Sequence, residues 1–326
     1  MTDIKDFRIV YMGTPEFAVE PLKALVENGF NVVGVITNPD KPAGRGQKIS
    51  ESAVKKYAQK AGLNILQPEK FRNPDFLEQL KELQADLQIV VAFKMLPEIV
   101  WSMPKYGTLN LHASLLPQYR GAAPINWAII NGEKETGVST FLLQHEIDTG
   151  DVLFSEKIAI AETDNVEIVY NKLMNIGAKL VVKTANAIRL EEFDTVSQKE
   201  LVANNIELKA APKIYKEDCK VNWANSIESI YNLIRGLSPY PAAWSEFVNK
   251  ETGKVLSFKI FETQKIIQKH NLELGDINTD KKTFIRVAVK EGFIQINDLQ
   301  LSGKKRMKVA DMLRGFQQIN EFKINL

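Results

Sequence analysis

Apolar positions in the first half of the chain follow two alternating rhythms. Short apolar runs at Arg8–Met12 (RIVYM), Asn31–Thr37 (NVVGVIT) and Leu87–Ala92 (LQIVVA) have the form of strands buried on both faces. Asn64–Leu66, Thr108–His112 (TLNLH) and Val138–Leu143 (VSTFLL) read as three more. Between them, helical spacing predicts helices over 18–28, 51–61 and 75–83. In the first, Val19, Leu22, Leu25 and Val26 share a face and Gly29 closes the last turn; Ser50 is the expected cap of the second. The amphipathic stretch Val166–Leu190 predicts a further, longer helix. Strands alternating with helices imply a mostly parallel sheet covered on both faces, an α/β domain of Rossmann-like type. Past Ala210-Ala211-Pro212 the rhythm changes. Stretches 255–262, 283–289 and 293–301 are β-rich and separated by polar or glycine turns, which predicts a small C-terminal β-barrel of the OB-like type. The expected boundary divides the chain into 1–207 and 208–326.

Composition adds a charge asymmetry. The 326 residues are 44% hydrophobic and 25% charged, which excludes disordered and fibrous classes. The overall charge of +2 conceals unequal parts. Residues 206–326 hold 20 Lys+Arg against 14 Asp+Glu, and the preceding residues hold 22 against 26. A basic tail on an acidic main domain hints at a polyanionic partner. Cys219 is the only cysteine, so no intrachain disulfide forms and a reducing compartment is expected. With no apolar run near the ~20 residues of a membrane span and no signal-like start, the expected location is the cytoplasm.

The first strand-to-helix turn, Gly13-Thr14-Pro15-Glu16-Phe17, has neither G-x-G-x-x-G nor a P-loop, which argues against dinucleotide and nucleoside-triphosphate chemistry. Three histidines and one cysteine lack metal-ligand spacing, so no metal is expected. The densest chemistry is Asn110-Leu111-His112. On a strand, Asn110 and His112 share a face, at the C-terminal end where open α/β sheets bind ligands. Asp148, in His145-Glu146-Ile147-Asp148-Thr149-Gly150-Asp151, follows another predicted strand and can reach the same crevice. Amide, imidazole and carboxylate without a Ser or Cys nucleophile suit direct attack of a substrate amine on a carbonyl. Asn110 and protonated His112 would then donate to the oxyanion, and Asp148 would favour the imidazolium. The spacing is equally compatible with Asn110 and His112 satisfying backbone groups at a strand end, and with Asp148 as a plain turn residue.

Asn110-x-His112-x-Ser114-Leu115-Leu116-Pro117, Tyr119-Arg120-Gly121-Ala122-Ala123-Pro124 and Asp148-Thr149-Gly150 together resemble the formyltransferase family that uses 10-formyltetrahydrofolate. The likeness extends from Gly13-Thr14-Pro15-Glu16-Phe17 to Asn222-Trp223 and Ser238-Pro239-Tyr240-Pro241-Ala242-Ala243-Trp244. It implies catalytic roles for Asn110, His112 and Asp148, and a folate site lined by Ser114, Leu115, Leu116 and Pro117. The run Ala92–Pro97 would meet the pterin through Phe93, Met95 and Leu96, although it is one residue shorter than in many relatives and lacks their glycine. The loop Asn38–Lys48 resembles the segment with which tRNA-acting members reach the acceptor arm, through Lys41, Arg45 and Lys48. The implied substrates are 10-formyltetrahydrofolate and initiator methionyl-tRNA, handled by a monomer without a metal. On the second domain, Lys304, Lys305 and Arg306 are expected to meet tRNA phosphates. A sugar-nucleotide N-formyltransferase and a catalytically silent RNA-binding protein are the competing readings.

Overall fold

The computed structural model describes residues 3–43, 48–202 and 207–326. It divides into two compact units. The first comprises Met1–Gly121, Thr136–Ile158 and Tyr170–Ala210; the second comprises Ala122–Glu135, Ala159–Val169 and Ala211–Leu326. Within the second unit, Asn126 donates to the Gly236 carbonyl and Trp127 to the Pro212 carbonyl, both at 2.8 Å.

The first unit is built on strands β1 (Arg8–Gly13), β2 (Asn31–Ile36), β3 (Ile65–Leu66), β4 (Leu87–Val91), β5 (Thr108–His112), β6 (Glu135–Leu142) and β7 (Val152–Ala159), ordered β7-β6-β5-β4-β1-β2-β3. Strands β1 to β5 run parallel and β6 pairs antiparallel to β5. Every residue of β4 is buried, as its unbroken Leu-Gln-Ile-Val-Val run implies. Strand β6 starts three residues before the apolar pattern does, because Glu135-Thr136-Gly137 carries no hydrophobic signal.

Helices α1 (Val19–Glu27), α2 (Ala53–Lys60) and α3 (Pro74–Glu82) lie near their expected positions. The α2 cap is Ser52, whose Oγ accepts from the Lys55 N–H at 3.0 Å, and not Ser50, which belongs to a short strand, Lys48–Ser50. That strand pairs with Lys41–Ala43. Asn73 caps α3 ahead of Pro74. The long helix, α5, spans Val166–Leu190, after the short α4 (Pro124–Ile130) of the second unit.

From β1 the chain builds outward through β2 and β3, then returns to the other side of β1 as β4 and β5. The strand order therefore reverses between β1 and β4, so the Gly13-Thr14 turn and the run from Ala92 leave the sheet at a switch point, where such folds bind ligands.

The second unit contains α6 (Ile227–Leu237) and α7 (Val309–Gly315) with strands β8 (Ala243–Asn249), β9 (Val255–Ile267), β10 (Ile277–Thr279), β11 (Ile285–Val289), β12 (Gly292–Leu301), β13 (Met307–Lys308) and β14 (Phe322–Ile324). Its antiparallel path is β10-β11-β12-β9-β8-β14, with β13 on β12. The Ile324 N–H donates to the Gly275 carbonyl at 2.9 Å, so the last strand reaches the segment leading into β10 and nearly closes a barrel. Its core holds the fully buried Trp223, whose indole N–H donates to Ser245 Oγ at 2.8 Å. Phe247 and Phe258 stack beside each other with ring centres 3.9 Å apart. No helix among the described residues is long and apolar enough to cross a membrane.

Trp223→Ala removes the largest buried side chain of this core and strands the Ser245 hydroxyl. We expect a loss of about 3–5 kcal/mol, read as a lower urea midpoint for the barrel transition.

Candidate active site

Strand β5 places Asn110 beside Val90 and Phe141 and His112 beside Ser139, two residues apart and therefore on one face. The Asn110 side-chain amide is half-buried and has no hydrogen-bond partner among the described residues. His112 is buried, and both ring nitrogens face oxygen. Its Nε2 lies 2.9 Å from the Tyr119 carbonyl and its Nδ1 lies 3.9 Å from Asp148 Oδ2. A carbonyl can only accept, so Nε2 is the donor in this contact. The strand-end reading of this pair holds for His112, which does bond a backbone carbonyl, but not for Asn110.

Asp148 reaches His112 from a strained turn. Its φ is +55°, in the left-handed region that a non-glycine residue rarely adopts, and Tyr119 opposite has φ +60°. The Asp148 carboxylate is fixed by the Gly121 N–H at 2.9 Å. Gly150 is required where the turn rejoins the sheet: a Cβ there would lie 1.7 Å from the Leu142 carbonyl oxygen. Gln198, which no sequence pattern singles out, donates from Nε2 to the carbonyls of Asp148 and Gly150, both at 2.8 Å.

The expected folate-lining residues divide between packing and exposure. Ser114 is fully buried and its hydroxyl donates to the Gln118 carbonyl at 2.6 Å. Leu116 packs with Phe141 and Val152, and Leu96 with Val10, Ile36 and Val90, so both serve the core. Leu115 is partly exposed, Pro117 is buried, and Phe93 packs against Phe71 at 5.8 Å. Met95 is 72% exposed beside Lys94 at the switch point. The Lys94 ammonium is held below its ordinary range by partial burial and by the like charge of Lys41. Neither lysine has an anionic partner among the described residues. At the other lip of the switch point, Thr14 Oγ1 is buried without a hydrogen-bond partner among the described residues.

Of the basic loop, Lys41 is exposed, Arg45 lies outside the described residues, and Lys48 is described by its backbone alone, paired with Ala43. The base of the loop is pinned by Lys55, which bridges Asp40 and Glu51 and holds the Asp40 carboxyl below its usual range. On the second unit, Lys304 and Lys305 are exposed and make no ion pair among the described residues. Arg306 instead forms a two-pronged pair with Asp298, at 3.1 and 3.0 Å, over the Phe261 ring. Elsewhere on that unit, an open cavity of about 580 Å³ is lined by Tyr215, Lys216, Tyr240, Trp244 and Lys259, among others. Among the described residues, no group of three or more His, Cys, Asp or Glu is placed to hold a metal ion.

An amide, an imidazole and a carboxylate gathered at the end of a parallel strand of an α/β sheet are compatible with acyl transfer. The chain belongs to the formyl transferase family: the family's N-terminal domain matches residues 7–185 and its C-terminal domain residues 213–317. It is 58% identical to the methionyl-tRNA formyltransferase of Bacteroides fragilis over 98% of both chains. It is 50% identical to that of Flavobacterium johnsoniae, covering 98% of this chain and 100% of the relative. Two solved structures share the fold. An N-formyltransferase from Helicobacter canadensis, in complex with folinic acid and dTDP-3-aminofucose, has 21% identity and a TM-score of 0.66, over 94% of this chain and all of that one. HypX from Aquifex aeolicus, in complex with tetrahydrofolic acid, has 17% identity and a TM-score of 0.61, over 95% of this chain and 47% of that one.

Because Gly150 tolerates no Cβ, Gly150→Ala must push the turn away from β6 and carry Asp148 with it. A displacement of about 1 Å at a reacting centre can cost about 100-fold in rate. We expect a loss of formyl transfer of that order, with near-native circular dichroism, measured at saturating substrates.

Proposed function

We propose that this chain transfers the formyl group of 10-formyltetrahydrofolate to the α-amino group of initiator methionyl-tRNA. The observation that carries the reading is the Asn110 amide, unpartnered among the described residues, beside a His112 ring bracketed by the Tyr119 carbonyl and Asp148. The names of relatives more than half identical to the chain support the same acceptor. Catalysis is assigned to residues 1–207 and tRNA binding to residues 208–326. The protein acts as a monomer in the cytoplasm, where its acceptor is charged.

The formyl donor supplies an acyl carbon on a nitrogen leaving group, which an amine attacks without help from a metal. Asn110 donates to the oxygen as it gains charge. The 3.9 Å gap between Nδ1 and Asp148 leaves the His112 N–H free to donate to that same oxygen. Asp148 remains close enough to support the positive ring and, through water, to move the amine proton toward N10 of the folate. Met95 and the partly exposed Leu115 and Phe93 offer apolar contact for the pterin, and Ser114, Leu116, Pro117 and Leu96 hold that wall in place. Lys41, Arg45 and Lys48 meet the acceptor arm, with Lys94 near Lys41.

Offering methionyl-tRNA and a nucleotide-linked amino sugar in one assay tests the acceptor. Formyl should appear on the tRNA alone, and transfer to the sugar instead would overturn the reading. Removing one oxyanion donor costs ~100- to 1,000-fold in turnover. Asn110→Ala and His112→Ala should fall in that range with folate affinity little changed, and Asp148→Asn should be similarly severe. Near-normal turnover in any folded variant would remove that residue from the mechanism.

Salt dependence tests the second unit. Among the described residues Lys304 and Lys305 are the free cations of their cluster, whereas Arg306 is engaged with Asp298. Each phosphate that a lysine neutralises adds ~0.7–0.9 to the log–log salt slope of tRNA binding. The double variant Lys304→Ala, Lys305→Ala should therefore flatten the slope by about 1.5, with turnover at saturating tRNA preserved. An unchanged slope would make the cluster a solvated face.

A further inference from the structure

Gln198 is 2% exposed and uses its whole hydrogen-bonding capacity on two segments of the site. Its Nε2 donates to the Asp148 and Gly150 carbonyls, both at 2.8 Å. Its Oε1 accepts from Arg120 Nε at 3.0 Å and from Arg120 Nη2 at 2.7 Å. Two donors and two acceptor sites are all that a carboxamide has.

The position of Arg120 gives this arrangement its consequence. Its neighbour Tyr119 presents the carbonyl that receives His112 Nε2, and its other neighbour, Gly121, presents the N–H that holds Asp148. Gln198 thus ties the residue between those two contacts to the backbone of the aspartate itself. The ring closes through His112, Tyr119, Arg120, Gln198 and Asp148. Two of its members, Tyr119 and Asp148, sit at positive φ, a conformation that persists only where surrounding bonds hold it.

We propose that Gln198, together with Arg120, is a positioning residue that sets the separation of Asp148 from His112 for formyl transfer. It touches neither substrate. It acts by clamping the Asp148-Thr149-Gly150 turn against the Tyr119-Arg120-Gly121 segment. The proposal rests on the assignment of His112 and Asp148 to catalysis.

The test is a double-variant cycle on the full chain, with 10-formyltetrahydrofolate and methionyl-tRNA as substrates. Gln198→Met keeps the approximate shape and removes all four hydrogen bonds. It should lower kcat by ~10- to 100-fold, the order expected of a misplaced reacting group, with both KM values within about threefold. If this variant does not fold, Gln198→Glu, which keeps an acceptor for Arg120 and removes both donors to the turn, takes its place in the cycle. Joined to Asp148→Asn, either substitution should add little further loss, because residues acting through one group are not additive. A normal kcat in the single variant, or losses that multiply in the double variant, would overturn the proposal. Unimpaired turnover in Asp148→Asn alone would overturn the catalytic assignment beneath it. The first two results leave that assignment standing, so the two failures are distinguishable.

Discussion

The hydrogen bond from the Gly121 N–H to the Asp148 carboxylate joins two segments 27 residues apart, and the rest of the site is arranged around it. The same oxygen, Oδ2, faces His112 Nδ1. A backbone donor to a charged, largely buried carboxylate is among the stronger contacts a loop can make, worth ~1.5–3 kcal/mol. That energy is of the size needed to offset an aspartate at positive φ. Gly150 makes the turn possible by its missing side chain, and Gln198 keeps it from relaxing. Asn110 stands outside this web on the rigid strand β5, which leaves its amide available.

Much of the first unit is legible in the sequence because its signals are local. Thr108–His112 and Val166–Leu190 coincide with β5 and α5, since apolar residues at a clean period decide both. The barrel strands are partly legible: β9 runs to Ile267, beyond the expected 262, where Thr263, Gln264 and Lys265 hide the extension. Strand β8 alternates buried and half-buried residues along Ala-Trp-Ser-Glu-Phe-Val-Asn, yet its inward positions include a serine whose burial is explained only by Trp223 across the core. Helix α6 is not among the expected elements, and only the structure shows its apolar face packed into the barrel core.

At the site, residue types and shared faces can be read from spacing, whereas partners cannot. Asn110 and His112 look alike on the strand, but only one is left unbonded among the described residues. Gln198 sits in a loop without periodicity and acts on residues 48 and 50 positions earlier. The basic run Lys304-Lys305-Arg306 reads as uniform, although Asp298 engages Arg306 and leaves the two lysines without an ion pair among the described residues, because the return of the chain along β12 brings the carboxylate back to it. Likewise, Lys94 gains meaning only when the fold sets it near Lys41, giving the switch point two cations without counter-charges among the described residues.

The central claim is that the formyl group reacts at the end of β5, between the Asn110 amide and the bracketed His112 ring. A crystal structure of the full chain with a stable 10-formyltetrahydrofolate analogue tests it most directly. The account predicts the formyl oxygen within about 3 Å of Asn110 Nδ2, with the pterin against Met95 and Asp148 still bonded to the Gly121 N–H. An analogue bound with its formyl end away from β5, leaving Asn110 unpartnered, would contradict it.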